Sequence, residues 1–594
     1  MQRNLTWFLT VLALALFAFI YFFERRLPGT AERIRAPRVL AGIQPQDVTA
    51  LEITLVGGGV VRAEQTNGSW FLTKPLYAAQ QSLIETFVTN VVRLRSFERM
   101  AQHEVVLQGQ KSFGLEPARA TVQVETATNR FRFEIGTNTP LTSNLYVRLL
   151  PSNEVVLTDA DLLQTLPQNT NDWRSENLVQ LATLPFDQLQ VRAGQRVFEI
   201  ARNATNMLWQ ITKPIPARSD QQQVAILFDQ IGRAQVGQFV GDGIVDVEKF
   251  GLQSPEVELG LSQGTNRLLT VQFGGSSTNE TNQVFARLVE STNIVTVSKD
   301  LVDFLKQPYK AFHDPRLMTF DNLPALDRVG VKFLGTFGVQ RQKDGTWNVE
   351  ADGSEFPADP ELLGEFLSKI LSLRILDIAK EVPSEQDLQT LGLQQPVLRY
   401  SFHERHTNDA GLVTNVLVSE LSFGTNTLDR IYASRSDEAP VYVTEFAKIM
   451  DLRRFGYEFR DRQIWNVSTG SVVRVSLVSS NATNTATRAG AAWSSEPLAN
   501  EAIGEAVFRL SKLKALRWVT QNADRTRSLG IVPGAEVLEV EVKGETGTEV
   551  WRIPLGKLTM RRDVYAEHPR IETLIFELPG EIYHLLKQNL PAAK

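Results

Sequence analysis

The chain has 594 residues, 43% of them hydrophobic and 22% charged. That length exceeds one hydrophobic core, so several folded domains are expected, and the composition argues against disorder. The net charge of −5 argues against a nucleic-acid binder, and the absence of cysteine excludes disulfides, zinc ribbons, iron–sulfur clusters and thiol nucleophiles.

The first feature in chain order is Leu5–Phe23, "LTWFLTVLALALFAFIYFF", which carries no charge. Nineteen helical residues rise roughly 28 Å, close to the hydrocarbon thickness of a bilayer. Trp7 and Tyr21 stand near its two ends, where amphipathic rings favour the membrane interface. Arg3 precedes the run, and Glu24, Arg25 and Arg26 close it. A cleaved signal has a shorter apolar core followed by a small-residue site, so an uncleaved anchor is expected over 1–27, with a linker over 28–46. The arginines after the span, read alone, would hold the body in the cytoplasm. Long domains translocate largely regardless of such charge, so the body is expected outside the cytoplasm, at a bacterial inner membrane.

Beyond the linker the sequence repeats. Trp70, Trp209, Trp347 and Trp493 are 139, 138 and 146 residues apart. "FGLEP" at Gly114 returns as "FGLQSP" at Gly251, "LGLQQP" at Gly392 and "LGIVP" at Gly530. "FEIGTNT" at Gly136 returns at Gly274, Gly424 and Gly556. An aromatic strand start follows each time, at Tyr146, Phe285, Tyr432 and Tyr565. Three units close on "WRSENL", "FHDPRL" and "FRDRQI". An ordered marker set recurring four times identifies tandem repeats, over 47–183, 184–323, 324–467 and 468–594.

Each unit opens on alternating strands and a hairpin turn of the "NGSW" or "DGTW" kind. A helix is expected next, because Ile84, Phe87, Val88 and Val91 fall on one face. The same spacing recurs at Val224, Leu227, Phe228 and Ile231; at Leu363, Phe366, Leu367 and Ile370; and at Ile503, Ala506, Val507 and Leu510. A short strand, the Gly-Leu/Ile-x-Pro turn, more alternating strands and a short helix complete the unit. The fold class is α+β: a mostly antiparallel sheet with one amphipathic helix over one face.

The phrase "WFLTKP" of unit 1 returns as "WQITKP" in unit 2, but units 3 and 4 read "WNVEADGSEFP" and "WSSEP". A catalytic lysine would not be lost from half the copies of a symmetric device. The tryptophans are therefore read as packing residues, and Lys74 and Lys213 as facing solvent. The anchor, the Trp strand, the Gly-Leu-x-Pro turn and the closing arginine phrase together resemble the bacterial "domain of unknown function" family numbered 4340, over essentially the whole chain. The resemblance implies an envelope protein, since members are often linked to ABC transport systems of the gliding-motility type. It implies no catalytic residues.

Other candidates carry little chemistry. His403 and His406 in "HERH" are three apart, whereas a helical zinc pair wants four; an exposed polar loop is the expectation. Gly57–Gly59 and "GGSS" from Gly274 lack a phosphate-loop pattern and are expected to be hairpin turns. Arg174, Arg316 and Arg460–Arg462 recur at unit ends and are expected to form salt bridges or turn bonds between units. The expected function is a non-enzymatic scaffold or binding subunit with membrane and protein partners and no cofactor or metal. An envelope-polymer hydrolase with a site between repeats and a solute-binding protein are the rival readings.

Overall fold

The computed structural model describes residues 7, 12–15, 17, 36–139, 144–242, 246–277, 282–290, 293–351, 353–407, 413–493, 496–545 and 547–593. Repeat 1 contains β1 (Val48–Leu55), β2 (Val60–Thr66), β3 (Ser69–Lys74) and β4 (Leu76–Ala78). Helix α1 (Gln81–Arg93), β5 (Glu98–Met100) and α2 (Gln102–Gln108) follow, then β6 (Ala120–Thr126), β7 (Arg130–Asn138), β8 (Asn144–Leu150) and β9 (Val155–Asp159). The sheet order is β4-β3-β2-β1-β6-β7-β8-β9-β5, and every described pairing is antiparallel.

Repeats 2 and 3 reproduce this nine-stranded order over 188–298 and 326–445. Among the described residues repeat 4 has seven strands over 472–578, and Trp493 lies in a bend. Repeats 1 and 2 form one compact unit and repeats 3 and 4 another, divided at His313/Asp314, with Ile215–Ala217 clustering with the second.

Helix α1 covers one face of its sheet. Ile84, Phe87, Val88, Val91 and Val92 are all buried in a core shared with Leu51, Val122 and Phe133 of the strands. At about 1.5–3 kcal/mol per buried side chain, that stripe alone contributes on the order of 10 kcal/mol. The counterpart stripes lie on Gln221–Gly232, Pro360–Ser372 and Pro497–Ser511. The opposite face of sheet 1 holds a smaller cluster, where Val105 of α2 meets Phe113, Leu115 and Val155.

The segments between repeats close the sheet edges. In the first unit, Gln80 N donates to Trp173 O and Ser175 N to Ala78 O, extending the β4 edge of sheet 1. A few residues on, Leu178 N donates to Ala234 O and Val236 N to Glu176 O, on repeat 2. In the second unit, Asp359 N bonds Phe459 O and Asp461 N bonds Pro357 O; then Ile464 N bonds Leu513 O and Ala515 N bonds Arg462 O. Val39 and Pro37 make the same pair with Leu94 and Ser96 of repeat 1. The short outer strand of repeat 4, Thr483–Thr487, is covered by Pro591 and Ala593.

One expectation falls largely outside the described residues, and others need correction. The span expected over Leu5–Phe23 lies outside the described residues, apart from helical, exposed Trp7, 12–15 and Phe17. Among the described residues, no helix is long and apolar enough to cross a membrane. "HERH" is not a loop: it is the end of strand Leu398–Thr407, paired along its length with Val413–Asn426. Extra residues at the end of one strand and the start of the other lengthen the pairing. Gly274–Ser276 ends strand Asn266–Ser276 rather than forming a hairpin turn, whereas Gly57–Gly59 does join β1 to β2.

Candidate functional site

The two glycine markers of each repeat are one device. Gly114, Gly251, Gly392 and Gly530 have φ of +66°, +68°, +69° and +90°, a region that side chains disfavour. Each turn lands on the strand that carries the second glycine. A Cβ on Gly136 would collide with Phe113 O, on Gly274 with Phe250 O, on Gly424 with Leu391 O, and on Gly556 with Leu529 O. The contact is backbone on backbone: Thr425 N donates to Leu391 O at 2.9 Å and Lys557 N to Leu529 O at 2.8 Å. The recurring aromatic sits beneath the same turn, with Phe113 and Tyr146 rings 5.0 Å apart and Phe250 and Phe285 4.8 Å apart.

The tryptophans are held by a partner that the sequence reading missed. Gln81, the first residue of α1, accepts from Trp70 N at 2.8 Å and donates to Trp70 O at 2.6 Å. Gln221 does the same for Trp209 at 3.1 and 2.8 Å. Asn500 accepts from Trp493 N at 2.6 Å. In repeat 3 the helix begins at Pro360, and Trp347 O instead accepts from Ala358 N at 2.8 Å. Trp70 and Trp493 are buried, and half-buried Trp209 packs against Phe186 and Phe228. Trp347, half-buried, packs on the core of repeat 3. A glutamine at the first helical position was the available signal. Lys74 and Lys213 are exposed, and Lys213 Nζ lies 2.9 Å from Glu199.

The closing arginines do bind at repeat junctions, in a different register from that expected. Ladder partners align Arg174 with His313 and Arg460; Arg316 aligns instead with Arg38, Asn177 and Gln463. Buried Arg174 lies 4.6 Å from the Phe239 ring centroid and 5.7 Å from that of Tyr77, and donates to Asp242 at 2.5 Å. Tyr77 belongs to β4 and Phe239 to repeat 2, so one guanidinium joins both repeats. In the second unit Arg460 stands 3.6 Å from the Phe356 centroid, while Trp518 Nε1 donates to Arg460 O at 2.8 Å. Arg462 donates to Asp359 at 2.7 Å and also reaches Glu361. Arg316 pairs with Asp314 at 2.9 Å, two residues away.

Electrostatics at these junctions serve structure. Burial opposes ionisation of Asp359, but the hydrogen bond and charge of Arg462 outweigh it and hold the carboxyl below its usual range. Asp242 is held low in the same way, by Arg174 and Asn293 against burial. Burial, with the charges of Arg460 and Arg570, pushes His568 down to about 4. His403 and His406 are on one strand without a third ligand; among the described residues no group of three or more metal-binding side chains converges.

These markers are also what a comparison with known families finds. The model of the "domain of unknown function (DUF4340)" family matches residues 70–207, 209–396 and 347–531. The chain belongs to this family. The DUF4340 matches begin at the tryptophans of repeats 1, 2 and 3, so each match runs from that tryptophan through the glycine lock into the next repeat. No curated protein matches the chain.

Two outcomes follow from these contacts. Gly424→Ala is expected to lower stability by about 1–3 kcal/mol, because the methyl meets a fixed carbonyl. Gly364→Ala, on an exposed helical turn of the same repeat with open space around it, should raise stability by roughly 0.5–1 kcal/mol; denaturant melts read both. Asp359 has a lowered folded-state pKa, so its contribution is complete above the unfolded carboxylate value of ~3.9 and is lost as pH falls through the folded value. Acid melts of Asp359→Asn should therefore show a shallower loss of stability below about pH 4 than the parent.

Proposed function

We propose that the chain is a non-enzymatic, membrane-anchored envelope protein whose repeats serve as a scaffold or binding subunit of an ABC-type transport assembly. One observation carries the reading: each residue that recurs from repeat to repeat is occupied in holding shape. The glycines close a backbone contact, Trp70, Trp209 and Trp493 are clamped at a helix start while Trp347 is held by Ala358, and Arg174 joins repeats 1 and 2. Stacked repeats of this kind offer long surfaces to partners and need no reactive group. The uncharged run Leu5–Phe23 supports a single anchor with the body outside the cytoplasm. The transport link rests on what the family resemblance implies.

Affinity purification of the tagged full chain from membranes solubilised in mild detergent checks this. The expected result is recovery from the membrane fraction together with an ABC-type ATPase and permease, and digestion of the body by protease added to intact spheroplasts. Recovery from the cytosol, or from membranes with no transport component, contradicts it.

A further inference from the structure

We propose that a basic turn of repeat 4 docks on an anionic phospholipid surface. The turn follows the second glycine of the lock and spans residues 556–563, "GKLTMRRD". Lys557, Arg561 and Arg562 are exposed, Met560 is fully exposed and Leu558 is half-exposed. The helix Ala523–Ser528, which leads into the lock, adds exposed Arg525 and Arg527, and Lys557 Nζ donates to Ser528 O at 3.0 Å. The inference goes beyond the scaffold reading and does not depend on the N-terminal anchor.

The positive charge is unpaired and local. Among the described residues, the ion pairs of repeat 4 involve none of these five cations. Carboxylates close to the turn are engaged elsewhere: Asp563 accepts from Gly580 N at 3.0 Å, and Glu581 pairs with Arg509 at 2.6 Å. Asp524, in the first turn of the helix, is left to offset one cation. The chain as a whole carries a net charge of −5, so the patch reverses its sign. The matching turns are not basic. They read "GTNTPLTSN" in repeat 1, "GGSSTNETNQ" in repeat 2 and "GTNTLDR" in repeat 3, where Arg430 pairs with Asp429 at 3.8 Å. The matching helices, Gln102–Gln108, Val247–Phe250 and Glu385–Thr390, contain no arginine. Three repeats close the same glycine lock without these cations, so the fold does not require them.

Backbone bonds hold the turn in place. Thr559 N donates to Asp563 O at 2.7 Å and Arg562 N to Thr559 O at 3.0 Å. Thr559 Oγ1 accepts from Arg561 N at 3.2 Å and from Asp563 N at 3.1 Å, and Arg562 O lies 3.1 Å from His584 Nε2. Met560 and Arg561 are thus the apex of a closed turn. An exposed methionine gains by transfer out of water, and cations beside it gain at the phosphate level of an anionic bilayer. Long basic side chains can stay at that level while the apolar group goes deeper. A folded acidic protein would need a pocket shaped for a projecting turn, whereas a fluid lipid surface takes it without one. The pairing of an apolar apex with flanking cations therefore favours the bilayer.

The chain has no cysteine, so a polarity-sensitive fluorophore can be attached at one introduced thiol. The full chain, kept in neutral nanodiscs, carries the label at Met560→Cys or, as a control, at Leu428→Cys, the fully exposed residue of the matching turn in repeat 3. Each is titrated with vesicles of phosphatidylcholine alone, with vesicles of phosphatidylcholine and phosphatidylglycerol in equal parts, and with soluble polyglutamate. The expected result is a saturable blue shift of the label at position 560 with the anionic vesicles, reversed by high salt, and no shift at position 428. In the same label background, Arg527→Ala/Arg561→Ala should weaken the vesicle affinity about 25-fold, at roughly fivefold per cation. The proposal is overturned if anionic vesicles leave the label at position 560 unshifted, or if neutral vesicles or polyglutamate shift it as far. An equal shift at position 428, or an unchanged affinity in the double variant, overturns it as well.

Discussion

An antiparallel sheet ends in two rows of unpaired N–H and C=O groups, and a chain of four such sheets must dispose of eight. This constraint organises the connecting segments. Trp173–Leu178 first completes the edge beside β4 and then bonds the start of the outer strand in repeat 2; Phe459–Ile464 does the same work from repeat 3 to repeat 4. What reads in sequence as a loop is thus a segment that makes a β-bridge to each of two sheets. Pro37–Val39 and Pro591–Ala593 meet the same need on repeats 1 and 4. The arginine stacking at the junctions follows from this stitching, because it brings Arg174 between Tyr77 and Phe239.

The repeat could be read in sequence because its markers have few alternatives. Only glycine tolerates the turn at Gly392, and only glycine leaves room for Leu391 O beside Gly424. The amphipathic stripe of α1 could be read because helical spacing is a strong local signal. What escaped was non-local. Nothing in the isolated phrase "WRSENL" shows that its backbone pairs with two sheets. The Gln81–Trp70 clamp joins residues on either side of β4, and its only local sign is the glutamine at the helix start. The register of the arginines was misread where Arg316 was grouped with Arg174: the ladder partners match Arg174 with His313 and Arg460.

Departures from the repeat are where individual function is to be sought. Repeat 3 replaces the clamping glutamine with Pro360 and keeps its tryptophan by another bond. Among the described residues of repeat 4 there is no strand matching those that carry Trp70 and Trp209, yet Asn500 still binds Trp493. The same repeat has a pair of tryptophans, Trp465 and Trp551, where the others carry smaller or single apolar residues. The frame is thus kept through all four copies while its details change in repeats 3 and 4.

Amide hydrogen exchange at the connecting segments tests the central claim most directly. If these segments close sheet edges through backbone bridges, the amides of Ser175, Leu178, Asp461 and Ile464 will exchange orders of magnitude more slowly than that of Gly57 in the turn between β1 and β2. Exchange at those four positions as fast as in the turn would mean that the repeats are joined by ordinary loops, and the account of their edges and junctions would fail.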